Sequence, residues 1–184
     1  MNKSWWVALA VVAVVVIYAW SGYNSFVKQN EAIDGQWAQV ETQYQRRFDL
    51  IPSLVESVKG AMKQEQEVFG KLADARSRYA GAGNAEQKAQ AAGEVESALS
   101  RLLVVMENYP QLKSVEAVQT FMSQLEGSEN RVSVERGRYN DSVKVFNASV
   151  KTFPNNVLAG GLGVGARTYF EAEAGSEKAP EVKF

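Results

Sequence analysis

Residues 5–23 read WWVALAVVAVVVIYAWSGY, 19 positions without a charge. Nothing else in the chain constrains its folding as strongly, because so apolar a segment has to be taken out of water, into protein or into lipid. As a helix it spans ~28 Å, about the thickness of a bilayer core. Trp5, Trp6, Tyr18, Trp20 and Tyr23 bracket the run, and rings with an apolar body and a polar edge favour the headgroup level. These five are the expected membrane-interface aromatics, and the lipid bilayer is the first expected partner. Ala19-Trp20-Ser21 before Gly22 also fits the small-x-small pattern of a cleaved signal peptide, which would release a soluble secreted protein starting near Gly22. The aromatic belts favour a retained anchor. Lys3 and the α-amine precede the run, while Lys28 alone follows within 20 residues, so the positive-inside rule puts the N-terminus in the cytoplasm and the bulk of the chain outside it.

The remaining chemistry is narrow. The 184 residues contain no cysteine and no histidine, which removes the commonest transition-metal ligands, thiol nucleophiles and the usual general base. No metal and no cofactor is expected. Lys+Arg 20 against Asp+Glu 21 gives a net charge of −1, without the basic excess on which nucleic-acid binding rests. An enzyme built from this chain would depend on carboxylates, Lys, Tyr or Ser.

Beyond the run, apolar residues recur at heptad spacing. Trp37, Tyr44, Ile51, Val58 and Leu72 fall seven or fourteen apart, with Glu65 as the exception, and Phe48, Val55, Met62 and Phe69 form a second row. Two adjacent rows make the wide stripe of a helix packed in a bundle. GAGN at 81–84 ends this segment, with Asn84 placed to cap the next helix. Residues 85–108 carry Val95, Leu99, Leu102 and Met106 at three- and four-residue steps, and NYPQLK breaks the pattern at Pro110. Residues 114–152 hold Val118, Leu125, Val132, Tyr139, Phe146 and Phe153 seven apart, until FPNN. Four glycines within 160–165 predict no stable helix interior there, and the polar end is expected to be mobile.

The expected class is therefore all-α: one N-terminal transmembrane helix followed by an elongated antiparallel helical bundle of four-helix type. It becomes three long helices, with coiled-coil-like heptads, if Pro52 only bends the first instead of breaking it. The expected divisions are a short tail (1–4), the anchor (5–23), the bundle (24–153), and a Gly-rich segment with a mobile C-terminal tail (154–184).

The motifs GYN after the anchor, QYQRRFDLIPSLVESVKG, LSRLLVVMENYPQLKS, FMSQLEGSENRVSVERGRYNDSVKVFN, FPNNVLAG and the closing YFEAEAG…PEVKF resemble the LemA family across nearly all of residues 22–184. The resemblance implies a membrane-anchored helical bundle of the bacterial cell envelope, with no catalytic residues or cofactor to carry over. Some LemA-like proteins have a lipoprotein cysteine just before GYN. Here that position is Ser21, so acylation there is excluded, and if the chain keeps an anchor it has to be the apolar run itself. The expected location is the inner membrane, single-pass, with the bundle periplasmic.

Arg46, Arg47 and Asp49 next to Pro52, and Glu129 and Arg136 in the Met122–Val143 row, are charges where apolar residues are expected. Charges on a buried face are costly unless paired. The expectation is a buried polar network, with Arg47 or Arg46 meeting Glu129 and Asp49 or Glu65 meeting Arg136, fixing helix register. Contact with a partner is the rival role. GGLGVGA lacks the Lys-Ser/Thr of a phosphate loop and follows no strand, so it is expected to pack on the bundle or the membrane surface. Asn140-Asp141-Ser142 and Asn147-Ala148-Ser149 match glycosylation sequons by chance within a helix. The expected function is a non-catalytic scaffold or adaptor. Its expected partners are other membrane or envelope proteins or a second copy, because the Tyr139–Phe153 stripe outruns the other helices. The alternative to it is an extracytoplasmic hydrolase using two carboxylates.

Overall fold

Pro52 interrupts a helix without turning the chain far from helical geometry. In the computed structural model, which describes residues 3–170, α1 runs Lys3–Phe48 and α2 runs Ile51–Val58. Pro52 lies in the first turn of α2, where its missing N–H costs least. Leu50 remains right-handed helical (φ −79°, ψ −24°) but has no side-chain cap. Leu50 N donates to Arg47 O at 3.3 Å and Leu54 N to Leu50 O at 3.2 Å. Asp49, instead of capping α2, accepts from Gln45 Nε2 at 2.8 Å.

The heptad exception at Glu65 marks a real break. A turn spans 59–65, and α3 then covers Gln66–Gly81, so no single helix runs from Asn24 to Tyr79. Asn84 caps α4 (Ala85–Met106) as its type predicts, accepting from Gln87 N at 2.8 Å. Pro110 opens a 3-10 turn, Pro110–Ser114, before α5 (Glu116–Lys151). After a cis Phe153–Pro154 bond, α6 covers Asn155–Leu162.

That last helix corrects an expectation, since Gly160 and Gly161 lie inside it. Its glycines are poor helix formers, but tertiary packing supplies what propensity lacks. Ala159 is fully buried, and Leu158 lies so close to Gly22 of α1 that a Cβ there has no room without moving it. Gly163 then takes a left-handed conformation (φ 69°), with Val164 N donating to Ala159 O at 2.9 Å, a glycine stop that returns the chain along α5. Among the described residues there is no strand. The expected C-terminal tail beyond residue 170 lies outside them.

The chain divides into two units. In the first (1–38 and 136–169), α1 and α5 run antiparallel: Phe26 meets Phe146 edge-on with ring centres 6.4 Å apart, and Trp37 meets Tyr139 at 5.7 Å. Ile33 and Val143 are fully buried beside them. The stripe expected to want an outside partner is therefore mostly covered by α1, and only Phe153 of its residues is left open, 77% exposed. In the second unit (39–135), the α1–α2 segment, α3, α4 and the first half of α5 surround an apolar core. Tyr44, Phe48 and Tyr79 form its aromatic centre, with Phe48 edge-on to Tyr79 at 4.9 Å. Ile51, Leu54, Val58, Met62, Leu72, Leu102 and Val132 are buried there too.

Candidate functional site

Arg47 is one of two polar side chains buried among the described residues, 6% exposed. It sits one residue before Phe48, so α1 carries its guanidinium into the second unit beside the aromatic centre. A buried cation needs an anion and hydrogen bonds. Arg47 Nη1 donates to Glu96 Oε1 of α4 at 2.6 Å, a short charge-assisted bond. Glu129 of α5 stands 3.6 Å from Nη2 but is 72% exposed, so its contribution is that of a surface pair. Arg47 Nε is buried with no hydrogen-bond partner.

Sequence reasoning put Arg47 and Glu129 together, and they are adjacent; it missed Glu96, which holds the ion. The signal was present: Glu96 is four residues after Ala92 and three before Leu99, on the buried stripe of α4. The expectation that Glu129 occupies a buried row is corrected. Met122 and Glu129 are exposed whereas Val143 and Val150 are buried, because a straight helix drifts ~20° per heptad away from a 3.5-residue repeat. Arg46 is exposed. Asp49 bonds Gln45, and Glu65 accepts from the Tyr109 hydroxyl at 3.1 Å. Arg136 falls in the first unit.

A second ion pair, Lys88 with Glu41, joins α4 to α1 one to two turns before Arg47. Together with Arg47–Glu96 it sets α1 and α4 parallel and in one register. The Tyr79 hydroxyl is buried without a hydrogen-bond partner. Burial, with the Glu41 charge second, pushes its ionisation up to about 12. The folded chain therefore keeps this proton where the unfolded chain, near 10, has lost it. The associated stability is complete below pH 10 and falls between pH 10 and 12, at up to ~1.4 kcal/mol per pH unit. Tyr79→Phe is expected to leave stability at neutral pH unchanged or up to ~1 kcal/mol higher. It should also flatten the alkaline fall, which urea titrations at a series of pH values would measure.

The other buried polar residue is Asn147 of α5. Its amide donates to Arg167 O at 2.9 Å and accepts from Arg167 N at 2.8 Å, pairing with the returning chain as a strand neighbour would. Tyr139 donates to Thr168 O at 3.3 Å, and the Arg167 side chain reaches Asp34. The sequon at Asn147 is thus closed off, in line with its reading as a chance match.

The apolar run is bare: Trp5, Trp6, Trp20 and Tyr23 are more than half exposed, Tyr18 is 39% exposed, and residues 4–18 are all exposed. It is the one helix, among the described residues, long and apolar enough to cross a membrane. No group of three or more Asp or Glu is placed to hold a metal ion among those residues. A cavity of about 300 Å³ between α2 and α5, lined by Leu50, Leu54, Thr120, Phe121 and Gln124, contains one carboxylate, Glu116.

The family model described as LemA family matches residues 36–184, a region that begins after the apolar run. Magnetosome proteins MamQ 1 and MamQ 2 of Paramagnetospirillum magneticum are each 27% identical over 195 residues, covering 89% of this chain and 72% of theirs. Magnetosome protein MamQ of Magnetospirillum gryphiswaldense is 26% identical over 163 residues, covering 74% of this chain and 60% of its own.

Proposed function

Because the chain belongs to the LemA family, we propose that it is a single-pass membrane-anchored scaffold or adaptor of the bacterial envelope that works by contact and not by catalysis. The observation that carries this is the continuity of α1. One helix, Lys3–Phe48, begins with exposed apolar turns suited to lipid and goes on to bury Phe26, Ile33, Val40 and Tyr44 in packed helices. Such a helix fastens folded surface to a bilayer. The buried charges favour the same reading. Arg47 and Glu96 neutralise each other inside the helix packing, which suits a register device better than a reacting group. Relatives named as magnetosome proteins support a role as one part of a larger body.

On this reading the span crosses the inner membrane, with Lys3 on the cytoplasmic side and the helices that follow residue 23 outside. Photo-crosslinking from exposed positions such as Val104 and Met122, 63% and 44% exposed, in intact cells is expected to trap envelope proteins or a second copy. Recovery of monomer alone, with no co-purifying protein, would overturn the adaptor role. Protease added to spheroplasts should digest the chain beyond residue 23 and spare the span; full protection would reverse the orientation.

A further inference from the structure

We propose that α6 is a second membrane contact, lying in the lipid headgroup region beside the span, so that the chain meets the bilayer at two places. This rests on reading residues 5–23 as the membrane span. Two contacts fix where α6 lies: the Tyr18 hydroxyl donates to Asn155 Oδ1, and Leu158 fills the space over Gly22. Both α1 residues are at the end of the apolar run where the aromatics mark the headgroup level. The antiparallel register of α1 and α5, Trp37 with Tyr139 and Phe26 with Phe146, brings Phe153 down toward that same end.

What α6 shows to the outside fits lipid. Phe153 and Val157 are 77% and 68% exposed, and Leu162 is 44% exposed. Val157 and Leu162 are open on α6 and Phe153 is open just before it, while Ala159 is buried and Leu158 packs toward Gly22. No charge occurs from Thr152 to Ala166. Exposed lysines stand at the borders, Lys28 after the span and Lys151 before α6, where they suit anionic headgroups. An apolar face on a helix clipped to the exit of a span is continuous with the lipid contact of that span, and an interfacial helix buries such a face at the acyl boundary.

The absence of cysteine makes labelling clean. The full chain, as Val157→Cys carrying an environment-sensitive fluorophore, would be reconstituted in vesicles of phosphatidylcholine and phosphatidylglycerol containing lipids with a nitroxide high on the acyl chain. Val11→Cys, within the span, reports on the anchor with a nitroxide deep on the chain. Asp141→Cys, exposed on α5 and ~15 Å along its axis from Lys151 at the helix end, is the reference. The expected result is a blue shift and loss of most emission for the Val157 label, deep quenching at Val11, and neither effect at Asp141. Quenching at Val11 with an unshifted, unquenched Val157 label would overturn the proposal and leave the span standing. A blue shift at Val157 without quenching would mean a protein cover and also overturn it, as would equal quenching at Asp141. No quenching at either Val157 or Val11 would remove the span and this contact together.

Discussion

Replacing Glu96 by leucine is expected to destabilise the second unit by about 3 kcal/mol, because it leaves the Arg47 guanidinium buried beside its unpartnered Nε with only an exposed glutamate near it. For a chain of this size that lowers the unfolding midpoint by roughly 6–12 °C. Glu129→Leu, by contrast, should cost less than about 1 kcal/mol, since a 72% exposed partner at 3.6 Å gives up little Coulomb energy. Removing both charges as Arg47→Met with Glu96→Leu should recover most of the loss, because a well-packed apolar pair avoids the desolvation penalty. Circular dichroism of the full chain in detergent, completed as a double-mutant cycle, measures all three. Equal losses for Glu96→Leu and Glu129→Leu would mean that the ion is shared, not held by α4.

The second large effect concerns the anchor. Val12 and Val14 are 58% and 67% exposed, so changing them touches no packed residue. Two arginines there should cost about 6 kcal/mol of insertion, at roughly 3 kcal/mol each near the middle of a span. Val12→Arg with Val14→Arg should therefore move the chain out of the carbonate-washed membrane pellet while leaving its thermal unfolding unchanged. A variant that stays in the pellet would show that something other than residues 5–23 holds the chain in lipid.

These two experiments separate what could be read from the sequence from what could not. The membrane candidate, the Asn84 cap, the Pro110 break and the burial of Val118, Leu125, Val132, Tyr139 and Phe146 follow from local rules of period and capping. The 59–65 turn was visible only as one glutamate out of phase, because Gly60 alone is a weak stop signal. Glu96 was legible as a charge on the α4 stripe but not as the partner of Arg47, since pairing depends on which helices become neighbours. The roll of α5 that exposes Glu129 accumulates over several turns, and no short window contains it. Least legible was α6. Its glycines argue against a helix, and it exists because Gly22, more than 130 positions away in the chain, lets Leu158 approach.

The pairing of Asn147 with the Arg167 backbone has a practical corollary. It carries the polypeptide from α6 back toward Tyr139, at the level of Trp37, which is ~28 Å of helix beyond Tyr18. A small reporter attached at Tyr169, 48% exposed next to Thr168, would thus stand well clear of a bilayer that holds residues 5–23, within reach of reagents that cannot approach the membrane.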